Sequence, residues 1–285
     1  MQLSERFVIR PMQPHDLDLA IEWAATEGWN PGLHDAGVFY TADPEGFFLG
    51  LLDGQPVAAV SGVRYGERYG FIGLFIVLPE YRDKTYGWRI GQAALSRLAG
   101  RTIGIDGVVA HQPSYQRLGF AYAHRNVRYQ GEVAAADSAV QSGIVALADR
   151  PFDEILAYDR SCFPEVRNAF LQRWIDPPDG YALGWVHQDR LAGYAVARPC
   201  REGFKIGPLF ADSPAGAEAL LSGLLSRLPA GQTFFLDVPQ TNPAAVALAE
   251  SRGMQIVFET ARMYRGPAPD LPIDHIFGIT SFELG

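Results

Sequence analysis

The stretch VLPEYRDKTYGWRIG, residues 77–91, joins an apolar run to an amphipathic segment through a short charged loop. The apolar residues before the loop predict a buried β-strand, and the spacing after Tyr86 predicts a helix. Between them lie two cations, Arg82 and Lys84, and one glycine, Gly87. Because the first turn of a helix has unpaired N–H groups and a positive dipole, it favours an anion, most often a phosphate. The loop therefore predicts a pyrophosphate site, with an ordinary strand-to-helix turn and solvated cations as the alternative.

Length and composition set the protein class. A chain of 285 residues has room for two domains, and 48 % apolar with 20 % charged residues is typical of a soluble globular protein with a sizeable core. The formal net charge of −8 argues against binding of nucleic acid through its phosphate backbone, which needs clustered cations. We therefore expect no nucleic-acid partner, and no metal site is predicted.

The cysteines and the N-terminal segment indicate in which cellular compartment the protein is expected. Cys162 and Cys200 form no C-x-x-C pair and no disulfide framework, which suits a reducing compartment. The N-terminal segment lacks the apolar core of a signal peptide, and no apolar run approaches the roughly 20 residues that cross a bilayer. We expect a cytoplasmic protein without a membrane partner.

The order of predicted elements divides the chain into two similar units. In the first unit, strands are predicted at 7–13, on either side of Asp53-Gly54, at 67–78, 104–112 and 127–133, and helices at 17–28, 86–98 and 113–120, with a short helix possible in the loop 29–46. Residues 134–143 are small and polar without periodicity, which is typical of a linker. The predicted domains are therefore residues 1–133 and 144–285.

The second unit repeats this order with different loops. Helices are predicted near 151–159 and 165–175, strands at 181–187, 191–199 and 203–210, then a helix at 214–228, a strand at 234–239 and a helix that ends at Gly253. The fold class is α/β (α+β), with two mixed-sheet domains flanked by helices. The loop GPLFADSP, residues 207–214, has no basic residue and is not expected to bind pyrophosphate.

Two motifs resemble the GNAT (Gcn5-related N-acetyltransferase) superfamily. They are V-x-P-x-Y-R-x-x-x-x-G from Val77 to Gly87 and Y-x-x-L-G-F from Tyr115 to Phe120, and the resemblance covers roughly residues 5–132. The second half resembles the C-terminal domain of a group of bacterial two-domain GNAT proteins. The resemblance implies a tandem GNAT fold whose second domain is catalytically silent.

The resemblance also implies acetyl-CoA as the acetyl donor. The family's phosphate loop, [QR]-x-x-G-x-[GA], aligns with Arg82, Asp83, Lys84, Thr85, Tyr86 and Gly87, with Thr85 in place of the first glycine. In the preceding strand, the main chain of Phe75, Ile76 and Val77 is expected to bind the pantetheine arm. A β-bulge is expected in or beside this strand, where it parts from its neighbour.

The family pattern assigns Tyr115 as the general acid that protonates the leaving thiolate, since a phenol keeps its proton at neutral pH. A half-buried tyrosine that only packs under a loop is the alternative. The general base is not visible in the motifs, because the strand before the phosphate loop has no glutamate. Glu27, Glu67 and His111 are candidates, and a chain of water molecules is another.

The stretch EGWNPGLHD, residues 27–35, lies where the family usually builds its acceptor pocket. The substrate-binding candidates are Glu27, Trp29, Asn30, Asp35 and His111, and a capped loop with one aromatic anchor is the alternative. Residues 160–174 of the second half are rich in aromatic and basic groups and are candidates to close over this pocket, although a purely stabilising role for the second half is equally open.

The combined prediction is an N-acetyltransferase that moves an acetyl group directly from acetyl-CoA to a primary amine of a small molecule or peptide. Three alternatives stay open: a non-catalytic acyl-CoA sensor, a structural or partner-binding protein, and a transferase that uses a longer acyl-CoA. The oligomeric state is not predicted.

Overall fold

The computed structural model of the protein describes residues 6–134 and 142–285. Residues 135–141, most of the predicted linker, lie outside these ranges. The first half forms strands β1 (Phe7–Pro11), β2 (Phe47–Leu52), β3 (Gln55–Tyr65), β4 (Tyr69–Val77), β5 (Thr102–Val108) and β6 (Ala121–Glu132), and helices α1 (Pro14–Thr26), α2 (Asp35–Ala42), α3 (Tyr86–Arg97) and α4 (Gln112–Arg117). The predicted hairpin is confirmed, since Asp53 and Gly54 join β2 to β3 with φ angles of +50° and +87°.

The second half contains three strands that the sequence did not predict. Its strands are β7 (Ile144–Ala146), β8 (Tyr181–His187), β9 (Arg190–Pro199), β10 (Phe204–Ala211), β11 (Thr233–Pro239), β12 (Gln255–Arg265) and β13 (Ile276–Gly278), and its helices are α5 (Phe152–Cys162), α6 (Asn168–Trp174), α7 (Pro214–Leu225) and α8 (Pro243–Ser251). Strands β7, β12 and β13 are the unpredicted ones. The predicted helices and the other four strands are confirmed within a few residues at their ends.

The two halves share one mixed sheet by exchanging a strand. The sheet runs β1-β2-β3-β4-β5-β12-β6-β11-β10-β9-β8-β7, with β13 paired to β10. Strand β12 of the second half thus lies between β5 and β6, and β6 of the first half lies next to β11. Only β4–β5 and β10–β11 are parallel pairs in the described sheet. The mixed α/β class is confirmed, whereas the expected separate sheet in each domain is corrected to one continuous sheet. The division at residues 133 and 144 stays a prediction.

The apolar core also crosses the boundary between the halves. Phe39 of α2 stacks with Trp174 of α6 at 6.1 Å between ring centroids, and Tyr65 meets the edge of Phe163 at 4.9 Å. These side chains are buried. The predicted role of residues 160–174 as a cover of the acceptor pocket is therefore corrected, because their aromatic groups fill the shared core.

The parallel pair of the second half, β10 and β11, corresponds to β4 and β5 of the first half. Strands β10 and β11 pair only as far as Ile206 and Leu236. Beyond that point β13 pairs with β10, and the N–H of Ile279 donates to the carbonyl of Asp237 at 2.9 Å. Residues 276–279 therefore fill the space between β10 and β11 where the pairing of these two strands ends. No helix within residues 6–134 or 142–285 has the length and apolar character to cross a membrane.

Candidate active site

A cleft of about 830 Å³ opens at the end of β4. The first half contributes residues of β4, β5, α4 and the loop before α3, and the second half contributes Phe258 and Thr260 of β12 together with Phe282 and Glu283. This volume lies within the usual range for a small-molecule site, roughly 300–1,000 Å³. The cleft is therefore built by both halves.

A bulge in β4 creates the cleft. Ser61 pairs with Gly73 and Ala59 pairs with Ile76, so two residues of β4 face one residue of β3. Within the bulge Leu74 has a φ of +44°, which is unusual for a leucine. The bulge expected in this strand is confirmed, and Gly73 is fixed beside it by an N–H bond to Ser61 Oγ of 3.0 Å.

Strand β4 parts from β5 at the same place. Their parallel pairing ends at Ile72 and Ile105, so the edge of β4 that follows faces the cleft. Phe75, Ile76 and Val77, expected to bind pantetheine through their main chain, all line this cleft. The prediction that this strand is buried is corrected at Phe75, whose side chain is exposed.

The start of α3 is free of side-chain caps. Its N-cap, Thr85, makes no capping hydrogen bond through its side chain, and Gly87 in the first turn lies against Val77. In the second half, by contrast, Ser213 caps α7 by accepting a hydrogen bond from the N–H of Gly216 at 3.2 Å. The first turn of α3 therefore keeps the partly positive N–H groups that bind phosphate.

The loop before α3 brings two cations, Arg82 and Lys84, to the cleft. Arg82, Asp83 and Lys84 are exposed and line the cleft. The ammonium of Lys84 lies 5.4 Å from the ring centroid of Tyr81. The side chain of Tyr86 is buried and packs 4.8 Å from Phe7, so any ligand contact of Tyr86 would involve its main chain.

Arg82 connects two segments that line the cleft, the end of β4 and the loop after α1. Its Nε donates to the carbonyl oxygen of Val77 at 2.8 Å, and its Nη2 donates to the carboxylate of Glu27. Glu27 lines the cleft, but its charge is matched by Arg82. This pairing makes Glu27 a poor candidate for the general base.

Tyr115 lies in the cleft wall on α4, with its ring directly against β5. A Cβ on Gly107 would come within 2.3 Å of that ring, so the absence of a side chain there allows the close approach. Burial raises the pKa of Tyr115, which keeps the phenol protonated at neutral pH. The group is thus in the correct protonation state to donate.

Of the two other residues predicted as candidates for the general base, His111 and Glu67, only one lines the cleft. His111 is exposed and lines the cleft. Glu67 lies in the turn between β3 and β4 and does not line it. His111 therefore remains a candidate by position, and Glu67 does not.

The substrate-binding candidates in the loop after α1 fall into two groups, those that line the cleft and those that do not. Trp29 lines the cleft, and its carbonyl oxygen accepts hydrogen bonds from Arg128 (2.9 Å) and Lys205 (3.0 Å). Asn30 instead donates to the carbonyl of Glu202 at 2.9 Å. Asp35 is buried, where it pairs with Arg198 (3.1 Å) and accepts a hydrogen bond from the N–H of Gly32. The assignment of Asn30 and Asp35 to the acceptor site is corrected, because both hold the two halves together outside the cleft.

A buried ion pair lies beside the cleft, where β12 joins β5. Asp106 accepts hydrogen bonds from Arg262 Nε (2.8 Å) and Nη2 (2.6 Å) and from Asn126 Nδ2 (2.8 Å). Asp106 and Arg262 face each other directly in the register of the two strands. Burial raises the pKa of Asp106, and the hydrogen-bonded guanidinium of Arg262 opposes that rise.

Among the cleft residues that the sequence analysis did not single out, four belong to the second half: Phe258, Thr260, Phe282 and Glu283. All lie in the last part of the chain, which carries none of the family's motifs. The nearest signal is the aromatic and acidic run SFEL at residues 281–284, which gives no indication of its partner. This wall of the cleft thus depends on residues far apart in the sequence.

Comparisons with known proteins agree with this architecture. Residues 16–121 match the model of the "Acetyltransferase (GNAT) family", and residues 155–278 match that of the "Acetyltransferase (GNAT) domain". The chain is also similar to the holothin acyltransferase of Pseudoalteromonas sp. (strain SANK 73390), with 29 % identity over all of this chain and 97 % of that protein.

Two solved structures show the same fold. A Pyrococcus horikoshii protein with a provisional acetyltransferase assignment superposes with a TM-score of 0.83 at 22 % identity, over 98 % of this chain and 96 % of that one. A tandem GNAT protein from the clavulanic acid biosynthesis pathway superposes with a TM-score of 0.63 at 14 % identity, over 92 % of this chain and all of that one.

Proposed function

Because this chain is a two-domain member of the GNAT superfamily, and therefore an acyltransferase, we propose that it transfers an acetyl group from acetyl-CoA to a primary amine. The observation that carries the proposal is the opening between β4 and β5. It places a free strand edge, an uncapped helix start and Tyr115 around one cleft.

The described residues fit a CoA thioester in two places. The N–H groups at the start of α3 suit the diphosphate, and Arg82 and Lys84 add positive charge beside it. The free edge of β4 offers main-chain groups to the pantetheine amides. Arg82 must release the carbonyl of Val77 if pantetheine is to use it. The Nε–H of Arg82 then becomes available for phosphate.

The chemistry requires the amine and the thioester carbon to be held in contact while charge is redistributed. Much of the rate would come from this positioning. As the C–S bond breaks, Tyr115 donates its phenolic proton to the thiolate, and the raised pKa from burial keeps that proton available. Tyr115 is thus the general acid of the proposal.

A small amine with an aromatic body is the acceptor that the cleft favours. Trp29, Phe258 and Phe282 line its acceptor side, and rings of this kind offer large, rigid apolar surfaces. The relative named for the acylation of holothin is similar along its whole length, which makes holothin a natural compound to test. A peptide amine is less favoured, because residues of the second half form the wall of the cleft on this side.

The second half is proposed to have no catalytic site of its own. Its counterpart of the β4–β5 opening is filled by β13, and the start of α7 is capped by Ser213. A cytoplasmic location is proposed because both cysteines are buried free thiols, which suits a reducing compartment.

The proposed function is tested by thiol release. The protein is incubated with acetyl-CoA and, in turn, with holothin, benzylamine, tyramine or a tetrapeptide with a free N-terminus, and the products are weighed by mass spectrometry. We expect thiol release that depends on an amine, with a mass gain of one acetyl group. CoA binding without turnover would instead indicate a sensor, and preference for a longer acyl-CoA would change the donor.

A double substitution tests the phosphate site. Arg82→Ala with Lys84→Ala should raise the Kd of CoA about tenfold, about 1.4 kcal/mol, because two cations beside the diphosphate are lost. Calorimetry measures this change. With S-acetylpantetheine, which has no diphosphate, the same variant should bind at least as tightly as the wild type does. Undiminished CoA affinity would move the phosphate site elsewhere, and Arg190→Ala, an exposed site in the second half, is the control.

A further inference from the structure

Glu283 is a buried carboxylate that faces the cleft. The residue is only 3 % exposed, and its Oε2 atom has no hydrogen-bond partner among the described residues. A buried carboxylate oxygen without a hydrogen-bond partner is costly, so its retention calls for an explanation. Thr260 Oγ1 on the same wall also lacks a described partner. The acceptor side of the cleft thus has unused hydrogen-bonding capacity.

The segment that carries Glu283 is held firmly. The hydroxyl of Tyr65 donates to the carbonyl oxygen of Leu284 at 3.1 Å, and the N–H of Leu284 donates to Ser281 Oγ at 3.1 Å. A Cβ on Gly73 would lie 1.9 Å from the carbonyl oxygen of Glu283. The segment therefore packs directly on the bulged part of β4, where the absence of a side chain at Gly73 gives it room.

The nearby cations are already engaged. Arg128 and Lys205 interact electrostatically with Glu283. Arg128 donates two hydrogen bonds to Asp237, at 2.7 and 2.8 Å, and both cations donate to the carbonyl of Trp29. These two cations lie close enough to offset the negative charge of Glu283, but neither donates a hydrogen bond to its Oε2, and the residue lines the cleft.

We propose that Glu283, supplied by the second half, binds the acceptor's ammonium group and takes its proton before attack. This inference rests on the proposed amine acceptor. It supplies the carboxylate that β4 of the first half lacks, and it gives the second half a direct part in the reaction.

The step balances in protons and bonds. The bound ammonium gives one proton to Glu283 and becomes a neutral amine. The amine nitrogen forms a bond to the thioester carbon, the C–S bond breaks, and Tyr115 protonates the departing thiolate. The attacking nitrogen then returns a proton to the Tyr115 phenolate. The products are the amide, free CoA thiol and one proton, which Glu283 releases to solvent.

Glu283→Gln tests this role, since glutamine keeps the shape and removes the basic oxygen. With the amine that wild type acylates fastest in the panel above, kcat/KM at pH 7 should fall about 30-fold. This is below the usual range of about 100- to 10,000-fold for a positioned acid or base, because water in the cleft can take the proton. The Kd of CoA should stay unchanged. Glu67→Gln, in the turn outside the cleft, is the matched control.

The pH profile separates catalysis from a purely structural effect. All ionisable groups that line the cleft or surround Glu283 remain in the variant; they are Glu27, Tyr81, Arg82, Asp83, Lys84, Asp106, His111, Tyr115, Arg128, Lys205 and Asp237. Because the free amine becomes abundant as the pH approaches roughly 10, the variant's deficit should shrink toward that pH. A deficit that is constant with pH would assign Glu283 a structural role and overturn the proposal.

Other results are equally decisive. A wild-type rate in Glu283→Gln would reject Glu283 as the base even though the proposed function stood, and a matching loss in His111→Ala alone would move the role to His111. A wild type that acylates no amine in the panel would reject the proposed function, and this inference with it.

Discussion

Replacing Tyr115 by phenylalanine is expected to lower kcat about 100-fold and to leave the Kd of CoA unchanged. The change removes one hydroxyl, and a positioned general acid usually contributes about 100- to 10,000-fold. The ring keeps its packing against Gly107, so the fold should not suffer. Steady-state kinetics with the best amine acceptor and calorimetry with CoA measure the two quantities.

Tyr122→Phe is the matched control, because Tyr122 is an exposed tyrosine on β6 that does not line the cleft. An unaltered rate in Tyr115→Phe would reject Tyr115 as the acid and leave it a packing residue. Since burial raises the pKa of Tyr115, the wild-type rate should not fall through its ionisation at any pH below the ordinary tyrosine value of about 10.

Replacing Arg262 by methionine is expected to lower the free energy of unfolding by about 3–5 kcal/mol. The substitution leaves Asp106 buried without its ion-pair partner, which is the costly way to break a buried pair. It also removes a bond between β5 and the exchanged strand β12. Urea denaturation monitored by circular dichroism measures the change.

The loss should depend on pH. Without Arg262 the folded-state pKa of Asp106 rises further above its value in the unfolded chain, near 3.9, so the folded variant holds a proton there more tightly. Its stability is therefore present below that value and is lost as the pH rises. The deficit relative to wild type should be smaller at pH 4 than at pH 7.

Arg125→Met is the control for this experiment. Arg125 pairs with Glu259 across β6 and β12, but both side chains are about 40 % exposed. An exposed pair contributes at most about 1 kcal/mol, so this variant should remain close to wild type. Equal losses in the two variants, or a loss in Arg262→Met that does not change with pH, would contradict the role given to the buried pair.

The features that the sequence predicted correctly are local ones. The β2–β3 hairpin follows from Asp53-Gly54, and the strand, loop and helix around the cleft follow from residues 71–97, because each depends on neighbours in the chain. The bulge in β4 was expected from the family resemblance and is present at Leu74.

The features that the sequence did not predict depend on distant partners. Strand β12 contains Arg262, a charged residue that does not indicate a buried strand until Asp106 is known to lie opposite it. The exchange of β6 and β12 has no local signal, since either strand could complete either half. Glu283 reaches the cleft only because Gly73, far away in the chain, gives its backbone room.

The assignment of Asn30 and Asp35 to the acceptor site had a related cause. Polar residues beside a tryptophan in a loop resemble a binding surface, and nothing nearby in the sequence indicates that Glu202 and Arg198 are their partners. Trp29 and Glu27 from the same loop do line the cleft. Local chemistry therefore indicated the loop but not which of its side chains line the cleft.

A crystal structure of the protein with CoA and its best amine decides where the reaction takes place. We expect the diphosphate on the N–H groups between Thr85 and Trp88, the pantetheine along the free edge of β4, and the sulfur beside Tyr115. CoA bound between β10 and β11 of the second half, or a cleft in which Phe75–Val77 make no contact with it, would contradict the proposed site.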